Sequence, residues 1–305
     1  MNYGNKWQAD KASNANSLFD DFDIEVDIHH PSLPQVPRWD TIERLNKEKE
    51  LIGIYLSAHP LDEYAFEVNE LSNTTAQEMA QFDKWRRPDA RNEAEITLRK
   101  QQIEEPDEQV LLPSEFLAAH KNQACLIGGL IIEAEQLRSQ KGNPYGRYTI
   151  EDYTGSYQFV LFGNAYAQFA HLMLKDLFVL VTGVVQQKGA GMKWFKEAKD
   201  EEAEFEFVVQ QVEMMNEAQD KRVEGINIRL SLDALSYELI DELNDVLKAN
   251  KGSERVHISV FNPLNRQQIS LTSRSNAIHV TPQFYKWLVT KRMEGVLEFN
   301  VVTKE

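Results

Sequence analysis

The stretch from Gln123 to Glu213 constrains the fold most, because its strand and turn signals come in a fixed order. Cys125 to Ala134 is an apolar run holding Gly128 and Gly129, which suits a long first strand that bends sharply. Lys141-Gly142-Asn143-Pro144 is turn chemistry. Tyr148 to Ile150 and Tyr157 to Phe162 give two more short strands across the turn Asp152-Tyr153-Thr154-Gly155. Gly163 to Leu174 carries Tyr166, Phe169, Ala170 and Met173 at helical spacing. Leu177 to Val185 is apolar enough to be buried on both faces, and Glu204 to Val212 alternates again. Three strands, a helix and two strands is the order of a five-stranded OB β-barrel, a fold whose usual ligand is single-stranded nucleic acid or oligosaccharide.

The remaining chain divides around that barrel into an α+β, multidomain arrangement. Residues 1–40 are an acidic, Pro-rich tether, with Asp20, Asp21, Asp23, Glu25 and Asp27 crowded before Pro31, Pro34 and Pro37. Residues 41–72 are a helical lead-in. An amphipathic helix is expected over Thr41 to Ala58, with Ile42, Leu45, Ile52, Tyr55 and Leu56 on one face and His59-Pro60 as its stop. Residues 73–120 form a charged surface insertion with a basic cluster at Lys84, Arg86, Arg87, Arg91, Arg99 and Lys100, then a short helix from Pro113. The barrel occupies 121–215, and Asn216 to Gly225 is a polar linker. A small α+β C-terminal domain fills 226–305. There Ile226, Ile228 and Leu230 alternate as a strand, Asp233 caps a helix, and Thr281-Pro282 opens another that Gly295 stops.

Composition excludes several classes. The net charge of −15 argues against a protein that simply coats DNA. Between Gln123 and Lys196, however, seven Lys/Arg face five Asp/Glu. The lone Cys125 rules out an internal disulfide and a cysteine zinc site. No apolar run reaches the ~20 residues of a membrane helix, which points to a soluble cytoplasmic protein. Asp21-Phe22-Asp23 lacks the rigid strand and basic neighbours that paired carboxylates need to hold metal ions for phosphoryl transfer. There is no phosphate-binding glycine loop, His-Glu-x-x-His, nucleophile elbow or dinucleotide fingerprint. No catalytic residue and no cofactor are expected in this chain.

The positive signals are for binding. A single-strand binder needs cations to follow phosphates and flat rings on which bases stack. The first barrel hairpin offers Arg138, Lys141 and Arg147, with Tyr145, Tyr148 and Tyr157 on or beside strands two and three. Lys188 and Lys193 in the last hairpin, with Trp194 and Phe195, form a second lip. Alternation sets Tyr157, Phe159 and Leu161 on one face of their strand and Val160 and Phe162 on the other, leaving open which set fills the barrel. Ser17, Leu18 and Phe19 stand as a short apolar peptide in the polar tether, suited to another protein's pocket.

Two blocks resemble bacterial replicative DNA polymerase III alpha subunits. One is Glu48 to Tyr64, with Gly53-Ile54-Tyr55-Leu56-Ser57-Ala58-His59-Pro60-Leu61 at its centre. The other is Lys141-Gly142-Asn143, Gly146 and Tyr148 to Tyr157. The resemblance implies that this is the C-terminal portion of such a subunit, after a polymerase core that alone would use Mg²⁺. It implies a barrel that binds single-stranded template through Arg138, Lys141 and Arg147, and a C-terminal domain that docks the clamp-loader tau subunit. It also implies a sliding-clamp peptide at Ser17, Leu18 and Phe19, although the family's Gln is Ala15 here. The alternatives are a protein-interaction module with no direct DNA contact, and an independent enzyme.

Overall fold

Alternating apolar residues bury one face of each barrel strand, and that alternation sets the register of the first sheet. The computed structural model describes residues 39–104, 111–262 and 264–304, with backbone alone at 271–276. Strands β1 (Ala124–Arg138), β2 (Pro144–Glu151), β3 (Ser156–Phe162), β4 (Phe178–Gln187) and β5 (Phe205–Met214) form one sheet in the order β3-β2-β1-β4-β5. Every pairing in it is antiparallel. With a helix between β3 and β4, this is the OB arrangement expected from the sequence. The β1–β2 pairing shifts register between Ile131 and Glu133, the mark of a bulge just past the two glycines.

β4 is buried on both sides for different reasons. Val179 and Val181 fill the barrel, whereas Leu180 enters a second core shared with the C-terminal domain. That domain is a four-stranded sheet, β8-β7-β6-β9, made of β6 (Val223–Ser231), β7 (Lys251–Asn262), β8 (Gln267–Ile278) and β9 (Leu297–Thr303). β6 and β7 are parallel and the other pairs antiparallel. Of the helices in this half, the one over Tyr237–Ala249 is capped by Ser236, which accepts from the Leu239 amide at 3.1 Å, and not by Asp233.

Three other expectations are corrected. The first helix, α1 (Thr41–Ile52), stops before Gly53, which sits at φ +90°. Leu45 is therefore its one buried side chain, and Ile52 and Leu56 are exposed. Residues 73–104 are not a simple surface insertion. Thr75 and Glu78 form a capping box for α2 (Ala76–Trp85), whose Met79, Phe82 and Trp85 join the barrel core. Arg91, on α3 (Pro88–Glu104), is buried and donates to the carbonyls of Trp85, Asp200 and Ala203, so it clamps α2 to the β4–β5 loop. Finally, the expected polar linker is a helix over Met215–Arg222 that buries Met215, Ala218 and Gln219 and runs directly into β6.

The lead-in joins the two cores. After α1, His59 begins a 3₁₀ turn, Pro60–Tyr64: its Nδ1 accepts from the Leu61 amide at 3.2 Å, and its own amide donates to Asp62 at 2.9 Å. Leu61 and Val68 pack with Leu130 and Met215, and Phe66 and Leu71 enter the C-terminal core. Residues 41–305 thereby form one compact unit.

Asp152 is one of the buried carboxylates in this framework. It accepts from Ala76 N at 2.7 Å, Thr154 N at 2.7 Å and Gly155 N at 3.1 Å. Asp152→Ala should cost about 3 kcal/mol, since several donors lose a charged acceptor at once; urea unfolding measures it, and a loss under about 0.5 kcal/mol would be incompatible with this role. His59 supplies a pH test. Burial lowers its pKa below the ordinary 6.5. The unfolded chain therefore binds the proton more readily, and stability contributed by this group is lost as pH falls through 6.5 and below. Unfolding at pH 7.5 and 5.5 should show a smaller acid loss in His59→Asn, which keeps a capping oxygen without an imidazole.

Candidate nucleic-acid interface

The pairing register decides which side chains of the first hairpin face outward. Leu137, Tyr145 and Phe162 lie in one cross-strand row, Glu135, Arg147 and Val160 in the next, and Glu133, Thr149 and Gln158 in a third. These rows form the outer face of β1, β2 and β3. Tyr145 and Phe162 stack with ring centroids 5.1 Å apart, and Phe162 is 61% exposed. They make a flat aromatic platform at the end of β2 nearest the Lys141 turn.

Tyr148 and Tyr157 do not belong to this face, contrary to the sequence expectation. Both are buried on the opposite parity, with Ile150, Phe159 and Leu161, and line the barrel interior. A base cannot stack on a ring enclosed in the core. Burial pushes the Tyr148 phenol up to about 12. Its ring folds back across Gly146, where any added methyl group would collide with it, so the glycine of that motif is required by packing. Phe162 is the functional candidate that the sequence list omits.

The cations are partly committed. Arg147 pairs with Glu135 at 3.2 Å, and Lys188 with Glu204 at 3.0 Å. Arg138 donates to the Gly142 carbonyl at 3.4 Å. Among the described residues, Lys141 and Lys193 make no ion pair. Glu133 accepts from Thr149 at 2.9 Å, placing a second carboxylate beside Arg147. The second hairpin lies elsewhere: β1 begins opposite Val184 and ends opposite Pro144, so Lys188 and Lys193 lie beyond the other end of β1 from Lys141. Trp194 there is exposed. The edges of β3 and β5 border a cleft of about 490 Å³ that Phe162, Gln158 and Arg86 help to line. Ser17, Leu18 and Phe19 lie outside the described residues.

Comparison with known proteins accounts for most of the chain in two pieces. Residues 126–215 match the OB-fold nucleic acid binding domain family. Residues 226–294 match the DNA polymerase III alpha subunit, C-terminal domain family. The chain is similar to the C-terminal portion of DNA polymerase III alpha subunits. The Vibrio cholerae subunit is 23% identical over 240 residues, which is 78% of this chain and 16% of that protein. The Thermus aquaticus subunit is 23% identical over 246 residues, 81% of this chain and 16% of that one. The chain thus spans about a sixth of the length of these polymerase III relatives. A mitochondrial single-stranded DNA binding protein from S. cerevisiae aligns with 31% of this chain at 17% identity and a TM-score of 0.22, too low to argue from. No helix among the described residues is long and apolar enough to cross a membrane.

The inside and outside assignments have separable consequences for stability. Tyr148→Ala should lose about 3–5 kcal/mol by emptying the barrel core. Phe162→Ala should lose about 1 kcal/mol or less, mainly its contact with Tyr145. Chemical denaturation of both variants checks this; equal losses would mean that Phe162 is a core residue.

Proposed function

We propose that this chain is the C-terminal accessory region of a cytoplasmic replicative DNA polymerase III alpha subunit. In this role its barrel binds single-stranded template DNA, while its flanks tether the polymerase to the sliding clamp and the clamp loader. The observation that carries the proposal is the outward Tyr145–Phe162 platform beside Arg147 and Lys141, on an OB barrel in a chain similar to that subunit. The rings offer stacking to bases of any sequence, and the cations follow the phosphates.

The other partners have different support. Leu51, Ile52, Ile54 and Leu56 are all exposed on and after α1. An apolar patch of this kind suits contact with another domain, and the polymerase core is its occupant in this proposal. Nucleotide transfer and its Mg²⁺ belong to that core. The C-terminal domain is the surface for the clamp-loader tau subunit, supported by the family match over 226–294. Ser17-Leu18-Phe19 is the clamp peptide, supported by its sequence alone.

A specific observation favours a second function, that of a protein-docking module with no DNA contact: Glu135 and Glu204 already neutralise Arg147 and Lys188. Fluorescence anisotropy of a labelled oligo-dT with the whole chain, at low and moderate salt, separates the two. Template binding should weaken with salt through counterion release. Phe162→Ala should cost about 1–3 kcal/mol, the usual value of one stacked base. Lys141→Ala should weaken binding and flatten the salt dependence, and Glu135→Gln should strengthen binding by releasing Arg147. If the folded chain gives no signal even at low salt, the DNA role is lost and the docking module stands.

A further inference from the structure

Three metal-capable side chains converge where the helix Met215–Arg222 meets the C-terminal sheet. Asp220 comes from that helix, Glu254 from β7, and His279 directly follows β8. Their ligand atoms all lie within 4.8 Å of one another. Glu254 is only 2% exposed. Its Oε1 accepts from the Ser253 hydroxyl at 2.9 Å. Its Oε2 is buried, has no hydrogen-bond partner among the described residues, and faces His279 Nδ1 at 3.8 Å. That distance is too long for a hydrogen bond.

A buried carboxylate oxygen without a donor is costly, and a second carboxylate at Asp220 adds like charge. The groups around the cluster do not resolve this. Lys304 Nζ donates to the main-chain carbonyl of Asp220, and no ion pair among the described residues joins it to either carboxylate. Neighbouring Gln219 is fully engaged with Glu67 and the Val280 backbone. A cation between the two carboxylates and the imidazole would satisfy the buried Glu254 oxygen and offset the like charges.

We propose that Asp220, Glu254 and His279 bind a divalent first-row metal ion, with Zn²⁺ preferred, that ties the helix after the barrel to the C-terminal sheet. One imidazole with two carboxylates favours Zn²⁺ over Mg²⁺ or Ca²⁺, which take oxygen ligands. Ligands around tetrahedral zinc stand roughly 3.3 Å apart, given bonds of about 2.0 Å. The present spread therefore closes by roughly 1.5 Å, which the exposed Asp220 supplies by a rotamer change while Glu254 stays in place. Water completes the coordination. The site does structural work: residues 220 and 279 belong to different elements, and an ion shared between them opposes their separation. It stands independently of any nucleic-acid role.

The test uses the whole chain, stripped with a chelator and titrated with Zn²⁺ by calorimetry and with Co²⁺ by absorption spectroscopy. One equivalent should bind, thermal stability should rise, and Co²⁺ should show tetrahedral d–d bands. Asp220→Asn, at an exposed position that leaves the metal-free chain folded, should weaken Zn²⁺ by about tenfold and change the Co²⁺ spectrum. Glu254→Gln should do the same or more. His29 and His30, adjacent in the sequence, are the alternative ligands to control for, and His29→Ala/His30→Ala should leave metal binding intact. No stoichiometric binding, binding indifferent to Asp220→Asn, or binding lost only with the His29/His30 pair would each overturn the proposal.

Discussion

Three consecutive residues, Glu151, Asp152 and Tyr153, hold the first half of the molecule together. Asp152 closes the β2–β3 turn and caps the amide of Ala76, so that hairpin and α2 share one buried carboxylate. Thr154 adds an acceptor for the next amide of α2, Gln77. Glu151 takes Lys49 and the Tyr55 hydroxyl from the lead-in. Tyr153 stacks near His59, centroids 4.7 Å apart, and reaches Asp62. Burial and the Asp62 carboxylate both push the Tyr153 phenol well up, keeping it a neutral donor. The two sequence blocks that carry the resemblance therefore touch each other. Lys49, Tyr55, His59, Asp62, Glu151 and Tyr153 are accounted for by this contact without any ligand.

The same lead-in transmits that anchor to the C-terminal domain. Phe66 packs edge-on to Tyr285, and Glu70 accepts from the Tyr285 hydroxyl at 2.9 Å. Leu180 on the outer side of β4 belongs to the same core. Barrel and C-terminal domain share apolar surface through residues on both sides, so a ligand on the barrel and a partner on the C-terminal domain act on one body. Coupling between them would pass through packed side chains, not through a linker.

Much of this was legible in the sequence, and the reasons for the rest are specific. The barrel strands showed because period-two alternation is broken at each end by turn residues, as at Lys141 to Asn143 and Asp152 to Gly155. Tyr148 and Tyr157 are ambiguous in the sequence because an aromatic ring suits either side of a small barrel. The decisive signal was parity: Arg147 and Gln158 cannot fill an apolar core, so residues sharing their faces, Tyr145 and Phe162, point outward. The helices of 73–104 were hidden by their charge. Only the capping pair Thr75/Glu78 and the spacing of Met79, Phe82 and Trp85 betrayed them. Arg91 was unreadable, since two of the carbonyls it binds, Asp200 and Ala203, come from a distant segment.

The electrostatics of the barrel face bear on what it is suited to do. A stand-alone single-strand binder would surround its platform with unpaired cations. Here Glu135 stands in the row next to the platform and Glu133 in the row beyond it, and the chain carries a net charge of −15. A phosphate contact through Arg147 or Lys188 would displace an existing ion pair, so its net gain would be small and salt would erode it further. In the proposed role such a face would bind weakly from free solution. If the proposed attachment to a polymerase core holds it beside a strand, it would face an effective concentration set by geometry and not by diffusion, and weak binding would then be sufficient. Weakness would also let successive nucleotides slip past without a costly release at each step. An acidic chain with a modest aromatic platform is accordingly better matched to a tethered guide for a moving strand than to a clamp that grips it.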